Sequence, residues 1–245
     1  MKIVVAVAGV LDSKWPIELD AEGVPRIAAD RTVMSPFDES ALEIALRLRD
    51  VDPANAVAAI VPNEKIARMV AAFRIEDIAI LDLPFGVACD PSGAAEVLAG
   101  AIPGDAGLVL MGREFGDCDD GAVPPLVAAR FGLPFFARVQ DVRTGPALLR
   151  EAQAEEESVI LAAPMLCSVT NDRRNRLRKP LMKNVMAARA ARFRAAPPSA
   201  PMAVRFERFD RVADARRPVA CRMAEGTPAE IAAIFAEHLL ASAVS

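Results

Sequence analysis

Residues 107–134 are GLVLMGREFGDCDDGAVPPLVAARFGLP, and they combine the two kinds of segment that decide the fold. Residues 107–112 are apolar enough for a buried strand, and residues 122–131 have the Ala, Leu and Val content of a helix. A loop rich in glycine and aspartate joins them. A strand end that leads into a helix start is a common phosphate site in α/β proteins. The loop's acidic side chains, at Asp117, Asp119 and Asp120, would instead repel a phosphate.

The first half of the chain repeats this strand–helix alternation. Strands are predicted at residues 2–8, 56–61, 77–83 and 107–112, and helices near residues 37–50, 64–74, 91–101 and 122–131. Apolar strands that alternate with helices predict a mostly parallel sheet covered on both faces. The fold class is therefore α/β, with three layers in the order helix, sheet, helix.

The pattern changes after residue 134. The segments PFFARVQDV, ALLREAQ and ESVILAAP predict short strands joined by turns, which would extend the sheet in antiparallel fashion. Residues 195–226 contain several prolines and little periodicity, so an extended arm is predicted there. GTPAEIAAIFAEHLLAS predicts a closing helix, with Thr227 and Glu230 as a capping box. We therefore expect an α/β domain at residues 1–194, and at residues 195–245 an extended arm and helix that wrap their own domain or clasp a partner subunit.

The first helix has strong local signals. Ser35 suits the N-cap, Pro36 suits the first helical position, and Asp38 favours the positive end of the helix dipole. Glu43 and Arg47 stand four residues apart and could form an ion pair along the helix.

Composition excludes several classes of function. The chain has 245 residues, of which 53% are hydrophobic and 25% charged, as expected of an ordered globular protein. We expect neither a membrane span nor a signal peptide, and hence a cytoplasmic location. The chain has one histidine, His238, and no tyrosine, so a catalytic triad or a histidine-rich metal site is not expected. Catalysis by the chain's own side chains is therefore not expected, and a bound cofactor or a partner subunit would have to carry any reaction.

The cysteines also indicate a reducing compartment. They are widely separated in sequence and form no CxxC pair, so neither a zinc site nor a disulfide framework is indicated. The four are Cys89, Cys118, Cys167 and Cys221.

Residues 171–194 form a strongly basic segment. They contain nine Lys or Arg and one Asp, a local charge of +8, whereas the whole chain carries −4. Such asymmetry is typical of an interaction surface. Nucleic acid, a merely solvated helix and an acidic protein partner are the three alternatives, and the first is disfavoured because Phe193 is the segment's one aromatic residue. Docking to a protein is favoured by apolar residues among the cations: Leu181, Met182, Val185 and Met186.

Three motifs in order resemble the β subunit of electron transfer flavoproteins. SPFDE at residues 35–39 matches the family's NPFDE, and GREFGDCDDGAVPP at residues 112–125 matches GRQAIDGDTGQVPP without a gap. APMLCSVTN at residues 163–171 is then followed by NRLRKPLMKNVMAARAAR at residues 175–192, which is similar to NEPRYPSLKGIMKAKKK. The combination covers nearly the whole chain.

The resemblance implies a fold of the adenine nucleotide alpha hydrolase type and a heterodimer with an α subunit that binds most of an FAD. Electrons would arrive from a flavoprotein dehydrogenase, docked on residues 171–194, and leave toward a quinone oxidoreductase or another acceptor. The β subunit itself would hold AMP, or a second FAD in some members. A stand-alone adenine-nucleotide-binding regulator of similar fold is the alternative. Neither nucleic acid binding nor membrane insertion is expected.

The resemblance also implies site residues. The implied nucleotide-binding positions are Ala6, Ser35, Phe37, Gly112, Asp117, Cys118, Asp119, Asp120, Gly121, Ala122 and Val123. Ser13 and Trp15 would lie near the flavin. The implied docking positions are Leu181, Met182, Lys183, Val185 and Met186. Asp120 and Ala122 replace a threonine and a glutamine of the family, which leaves the backbone N–H groups around residues 121–123 as the expected phosphate donors.

Overall fold

A computed structural model describes residues 1–21, 25–26, 28–143, 147–152, 155–160, 164–196 and 223–242. The chain divides into two compact units, Met1–Phe209 and Asp210–Ser245. The strands are β1 (Lys2–Ala6), β2 (Val10–Leu11), β3 (Glu18–Leu19), β4 (Pro25–Arg26), β5 (Thr32–Val33), β6 (Ala56–Val61), β7 (Asp77–Ile80), β8 (Leu108–Gly112), β9 (Phe135–Arg143), β10 (Ala147–Ala152), β11 (Glu155–Ile160), β12 (Met165–Val169) and β13 (Arg194–Ala195). The helices are α1 (Pro36–Val51), α2 (Glu64–Ala71), α3 (Phe85–Ala88), α4 (Pro91–Ala101), α5 (Val123–Phe131), α6 (Met182–Ala188) and α7 (Pro228–Ser242).

The main sheet has nine strands in the order β11-β10-β9-β12-β8-β1-β6-β7-β13. All neighbours from β9 to β13 pair in parallel, whereas β10 pairs antiparallel with both β9 and β11. The prediction of a mostly parallel α/β/α sheet with an antiparallel extension is therefore confirmed.

The side chains of the central strands alternate between two hydrophobic cores. In β1, Ile3 and Val5 pack in the core that contains residues of α1 and α2, and Val4 packs in the core that contains residues of α4 and α5. This alternation follows from the two-residue period of a strand. Because both faces are covered, every position of such a strand must be apolar, which explains the unbroken runs in the sequence.

A capping box starts α1. The side chain of Ser35 accepts a hydrogen bond from the Asp38 N–H at 3.0 Å, and Asp38 Oδ2 accepts one from the Ser35 N–H at 3.0 Å. Pro36 occupies the first helical turn, where its missing N–H has no cost. The predicted cap is confirmed, with Asp38 as its second member.

The order in which the chain adds strands to the sheet reverses at the neighbouring strands β1 and β8. From β1 it proceeds to β6 and β7 on one side, and then crosses back to β8 on the other side of β1. The loops that leave β1 and β8 therefore diverge. In open α/β sheets, ligand sites lie at the carboxyl ends of strands at such a point.

The second unit contains α7, preceded by the capping box predicted from sequence. The Thr227 N–H donates to Glu230 Oε2 at 2.7 Å, and the Glu230 N–H donates to Thr227 Oγ1 at 3.4 Å. Most of the predicted arm, residues 197–222, lies outside the described residues. Neither α7 nor any other described helix combines the length and the apolar composition needed to cross a membrane.

Candidate functional site

A cavity of about 300 Å³ lies at the carboxyl ends of the strands where the strand order reverses. It is lined by residues 7–10 after β1, residues 60–63 around the end of β6, residues 81–83 after β7 and residues 115–118 after β8. Its volume is at the small end of the range for ligand pockets. The cavity could hold a ligand of roughly mononucleotide size.

Asp38 fixes the backbone on the β1 side of this cavity. Its carboxylate accepts hydrogen bonds from the N–H groups of Ala8 and Gly9, each at 3.2 Å, in addition to that of Ser35. The side chain is fully buried, and burial raises its pKa, an effect that these backbone donors oppose in part. The SPFDE motif thus joins the start of α1 to the exit of β1.

Gly112 lets the same motif contact the end of β8. A Cβ atom at this position would lie 3.0 Å from the Cβ of Phe37 and 3.4 Å from Asp38 Oδ1. A larger residue would therefore push α1 away from the sheet. The SPFDE motif and the loop after β8, far apart in sequence, meet at this contact.

Two aspartates hold the loop after β8 in place. Asp117 Oδ2 accepts a hydrogen bond from the Leu11 N–H at 2.8 Å. Asp119 is buried and accepts bonds from the N–H groups of Phe115 at 2.8 Å, Ala122 at 2.8 Å and Val123 at 3.2 Å. Asp119 therefore caps the start of α5 with its own carboxylate.

These contacts do not suit a phosphate. The Ala122 and Val123 N–H groups, which the sequence offered as phosphate donors, are already bound to Asp119. Asp82 and Asp117 line the cavity, and no Lys or Arg among the described residues does so. A phosphate placed there would meet negative charge without a compensating cation. The residues present do not fit AMP.

The other implied nucleotide-binding positions lie below the cavity or in the loop after β8. Ala6 is buried in the core below the cavity, whose lining begins one residue later. Cys118 is exposed and lines the cavity, Asp120 is exposed, and Gly121 has a left-handed backbone with a φ of 102°.

The two implied flavin-proximal residues lie in an exposed turn after β2. Ser13 is exposed, and Trp15 is 49% exposed. The guanidinium of Arg31 lies 4.8 Å from the centre of the Trp15 ring, a cation–π contact. One face of the Trp15 ring therefore contacts Arg31, and about half of the side chain is accessible to solvent.

The basic segment, residues 171–194, is anchored to α1 by charged side chains. Arg178 donates to Glu43 Oε1 from Nε at 3.1 Å and from Nη2 at 2.7 Å, and it also contacts Asp50. The pKa of Arg178 is raised, first by its hydrogen bonds to Glu43. The i,i+4 pair predicted between Glu43 and Arg47 is wrong, because Glu43 binds Arg178 instead.

Arg47 anchors a second point of the segment. Its Nη2 donates to Asp141 Oδ1 at 2.7 Å and to Asn175 Oδ1 at 2.5 Å. Asn175 is buried and donates in turn to the Gln140 carbonyl at 2.5 Å. The start of the basic segment is thereby fixed to both α1 and β9.

The anchored segment presents an exposed apolar cluster, which we define as Leu181, Met182 and Met186. These side chains are 61%, 74% and 52% exposed. Val185 is half-buried, and Lys183 is exposed beside the cluster. Grouped large apolar side chains on a surface are typical of interaction sites. Within the described part of the chain, Lys183 and Arg189 form no ion pair, so their charge remains available to a partner.

Replacing Arg178 with alanine is expected to loosen the segment. Glu43, with 8% of its side chain exposed, would lose its guanidinium partner. Because Arg178 is 39% exposed, we expect a loss of only about 1 kcal/mol in the free energy of unfolding, since solvent screens this pair. Amide hydrogen exchange of residues 176–190 should become faster. Arg189→Ala is the matched control and should leave exchange unchanged; equal effects of the two variants would contradict the anchoring role.

Some residues that shape the site were not predicted from the sequence. Cys89 and Cys118 are 29 positions apart, yet their sulfur atoms are 2.6 Å apart. Asp82 lines the cavity because it lies two residues beyond the end of β7. Its position at a strand's carboxyl end was a usable signal, whereas no sequence signal pairs the two cysteines.

Comparison with known proteins agrees with this architecture. The family model described as electron transfer flavoprotein domain matches residues 26–201, more than half of the chain. The chain is also similar to "Acryloyl-CoA reductase electron transfer subunit gamma" of Anaerotignum propionicum, with 22% identity over 178 residues that cover 69% of this chain and 67% of the relative. The residues matched by the family model include α1, the strands β6, β7 and β8 beside the cavity, and the anchored basic segment. The chain therefore belongs to the electron transfer flavoprotein domain family.

Proposed function

We propose that this chain is the β-type subunit of an electron transfer flavoprotein. It pairs with an α-type subunit that carries FAD, and the pair passes electrons from a flavoprotein dehydrogenase to a quinone oxidoreductase or another acceptor. The flavin supplies the redox chemistry when bound, and this chain supplies shape, docking and electrostatics. A cytoplasmic location is part of the proposal.

The observation that carries the proposal is the exposed apolar cluster on the anchored basic segment. Leu181, Met182 and Met186 form a small apolar contact surrounded by cations that attract an acidic partner. This combination favours fast association and fast release, which an electron shuttle requires. The relative's printed name, an electron transfer subunit of acryloyl-CoA reductase, makes a flavoprotein that acts on CoA thioesters a suitable class of partner.

The α7 helix supports the pairing with an α-type subunit. Ile234, Phe235 and Leu239 share one side of the helix and are 48%, 61% and 70% exposed. Such a surface is stable in water when a partner covers it. We propose that residues 195–245 contact the α-type subunit through this face.

We propose further that the cavity holds no AMP, because Asp119 occupies two of the backbone donors and Asp82 and Asp117 add negative charge. Loss of side-chain hydrogen bonds to a charged group costs about 1.5 to 3 kcal/mol for each bond. A second FAD would bring two phosphates to the same carboxylates. The cavity is thus a modified form of the family's nucleotide site.

Native purification followed by nucleotide analysis tests both statements. We expect a second subunit to co-purify, a flavin spectrum, and one FAD but no AMP per complex after denaturation and chromatography. One AMP per complex would contradict the proposal that the cavity holds no AMP, but it would leave the electron transfer role intact. A lone chain with adenine nucleotide and no flavin would overturn the proposed function in favour of the nucleotide-binding regulator.

A further inference from the structure

We propose that Cys89 and Cys118 form a thiol–disulfide site at the rim of the cavity, which a hydroperoxide oxidises and an external dithiol reduces. Oxidation would join the segment after α3 to the loop between β8 and α5. This modification site is independent of the proposed electron transfer role.

The geometry brings two otherwise unrelated segments together. Cys89 directly follows α3, and Cys118 lies in the loop between β8 and α5, yet their Sγ atoms are 2.6 Å apart. Both residues are free thiols in the structure. A disulfide requires Cβ atoms about 3.5 to 4.5 Å apart, and sulfur atoms in direct contact already bring the two side chains within such reach.

The two thiols differ in access, which sets their order of reaction. Cys118 is exposed, so an oxidant reaches it first, whereas Cys89 is half-buried. Burial, and next the neighbouring Cys118 thiol, raise the pKa of Cys89 to about 12. Cys89 therefore stays protonated in the reduced pair, and the exposed Cys118 is the thiol that meets the oxidant. Cys167 is fully buried in β12, where an oxidant does not reach it.

The reaction balances in two steps. The Cys118 sulfur attacks one oxygen of the hydroperoxide, the O–O bond breaks, and the proton that the thiol gives up goes to the leaving oxygen. The products are a sulfenic acid at Cys118 and an alcohol, or water when the oxidant is hydrogen peroxide. The Cys89 sulfur then attacks the Cys118 sulfur, the S–O bond breaks, and water leaves with the Cys89 proton. Two thiols lose two electrons and the peroxide gains them. An external dithiol reverses the bond by exchange.

The bond would constrain the walls of the cavity. Ala88 and Cys118 both line it, and the neighbouring Asp117 accepts a hydrogen bond from the Leu11 N–H on the opposite rim. Oxidation would therefore fix three connections at the carboxyl ends of the strands: the one after β1, the one after β7 and the one after β8. When the two thiols are reduced, no covalent bond joins the loop after β8 to the segment after α3. The loop is then held by the hydrogen bonds that Asp117 and Asp119 accept.

Peptide mapping of the full chain, purified with its co-purifying subunits, tests the site. Trypsin separates the two cysteines, because Cys89 lies in peptide 75–113 and Cys118 in peptide 114–130. After treatment with hydrogen peroxide and alkylation of free thiols, we expect a disulfide-linked pair of these peptides that disappears on addition of dithiothreitol. The midpoint of thermal unfolding should rise by roughly 5 to 10 °C, because the bond closes a loop of about 30 residues.

Cysteine-to-serine variants distinguish the Cys89–Cys118 disulfide from other oxidation products. Cys118→Ser and Cys89→Ser should each abolish the linked peptides and the thermal shift, while the matched control Cys221→Ser should retain both. Circular dichroism before and after oxidation confirms that the chain is still folded when the bond forms. The proposal is overturned if Cys118 accumulates as sulfinic acid while Cys89 stays alkylatable, or if the linked peptides pair either cysteine with Cys167 or Cys221 instead.

Discussion

Asp38→Ala is expected to lower the free energy of unfolding by roughly 3 to 6 kcal/mol, because three N–H groups would lose their acceptor and each buried, unsatisfied donor costs about 1 to 3 kcal/mol. The donors belong to Ala8, Gly9 and Ser35. The loss therefore combines a helix cap with the exit of the central strand. Urea unfolding followed by circular dichroism, at fixed protein and partner concentrations, measures it.

Two companion variants make this test specific. Asp38→Asn keeps the shape but presents an NH₂ group to N–H donors, so it should also destabilise the chain. Asp105→Ala removes an exposed carboxylate that pairs with Lys2 at 3.0 Å on the surface, and it should cost about 0.5 kcal/mol or less. A free energy of unfolding for Asp38→Ala within 1 kcal/mol of the wild-type value would show that Asp38 does not hold the β1 exit.

The triple variant Leu181→Ala, Met182→Ala, Met186→Ala is expected to slow electron transfer from the dehydrogenase by roughly 10-fold or more. Truncation of apolar side chains at the centre of an interface commonly costs about 2 kcal/mol, and tenfold corresponds to about 1.4 kcal/mol. The measurement is kcat/KM for reduction of the complex's flavin by its dehydrogenase. The wild-type rate should also fall as salt rises, because exposed cations such as Lys183 contribute to the encounter.

The controls distinguish docking from damage to the flavin or to the fold. Val51→Ala removes a 67% exposed apolar side chain at the end of α1 and should leave kcat/KM unchanged. Reduction of the triple variant by dithionite should proceed at the wild-type rate, because that reaction needs no docking. A wild-type kcat/KM in the triple variant would exclude the apolar cluster as the dehydrogenase contact.

Signals confined to a few neighbouring residues were sufficient for much of the fold. The Ser35 cap of α1 and the Thr227–Glu230 box before α7 were predicted because each depends on residues three apart in sequence. The apolar runs at residues 56–61 and 107–112 predicted buried strands because a strand covered on both faces must be apolar throughout. Their alternation with helices then fixed the fold class.

The site depended on contacts that no local pattern encodes. Glu43 and Arg47 looked like partners because they are one helical turn apart, but α1 packs so that Glu43 meets Arg178 and Arg47 meets Asp141. A charged side chain binds whichever opposite charge the packing brings nearest, and the sequence does not state that packing.

The loop after β8 shows the same division between sequence and tertiary structure. By itself the sequence determined that residues 112–125 connect a strand to a helix and carry four acidic side chains, of which Asp119 is one. Only the tertiary structure decided that Asp117 reaches Leu11 and that Cys118 meets Cys89. The reason is physical: helix and strand periods are set by neighbours along the chain, whereas these contacts are set by the order of strands in the sheet, which brings distant loops to one edge.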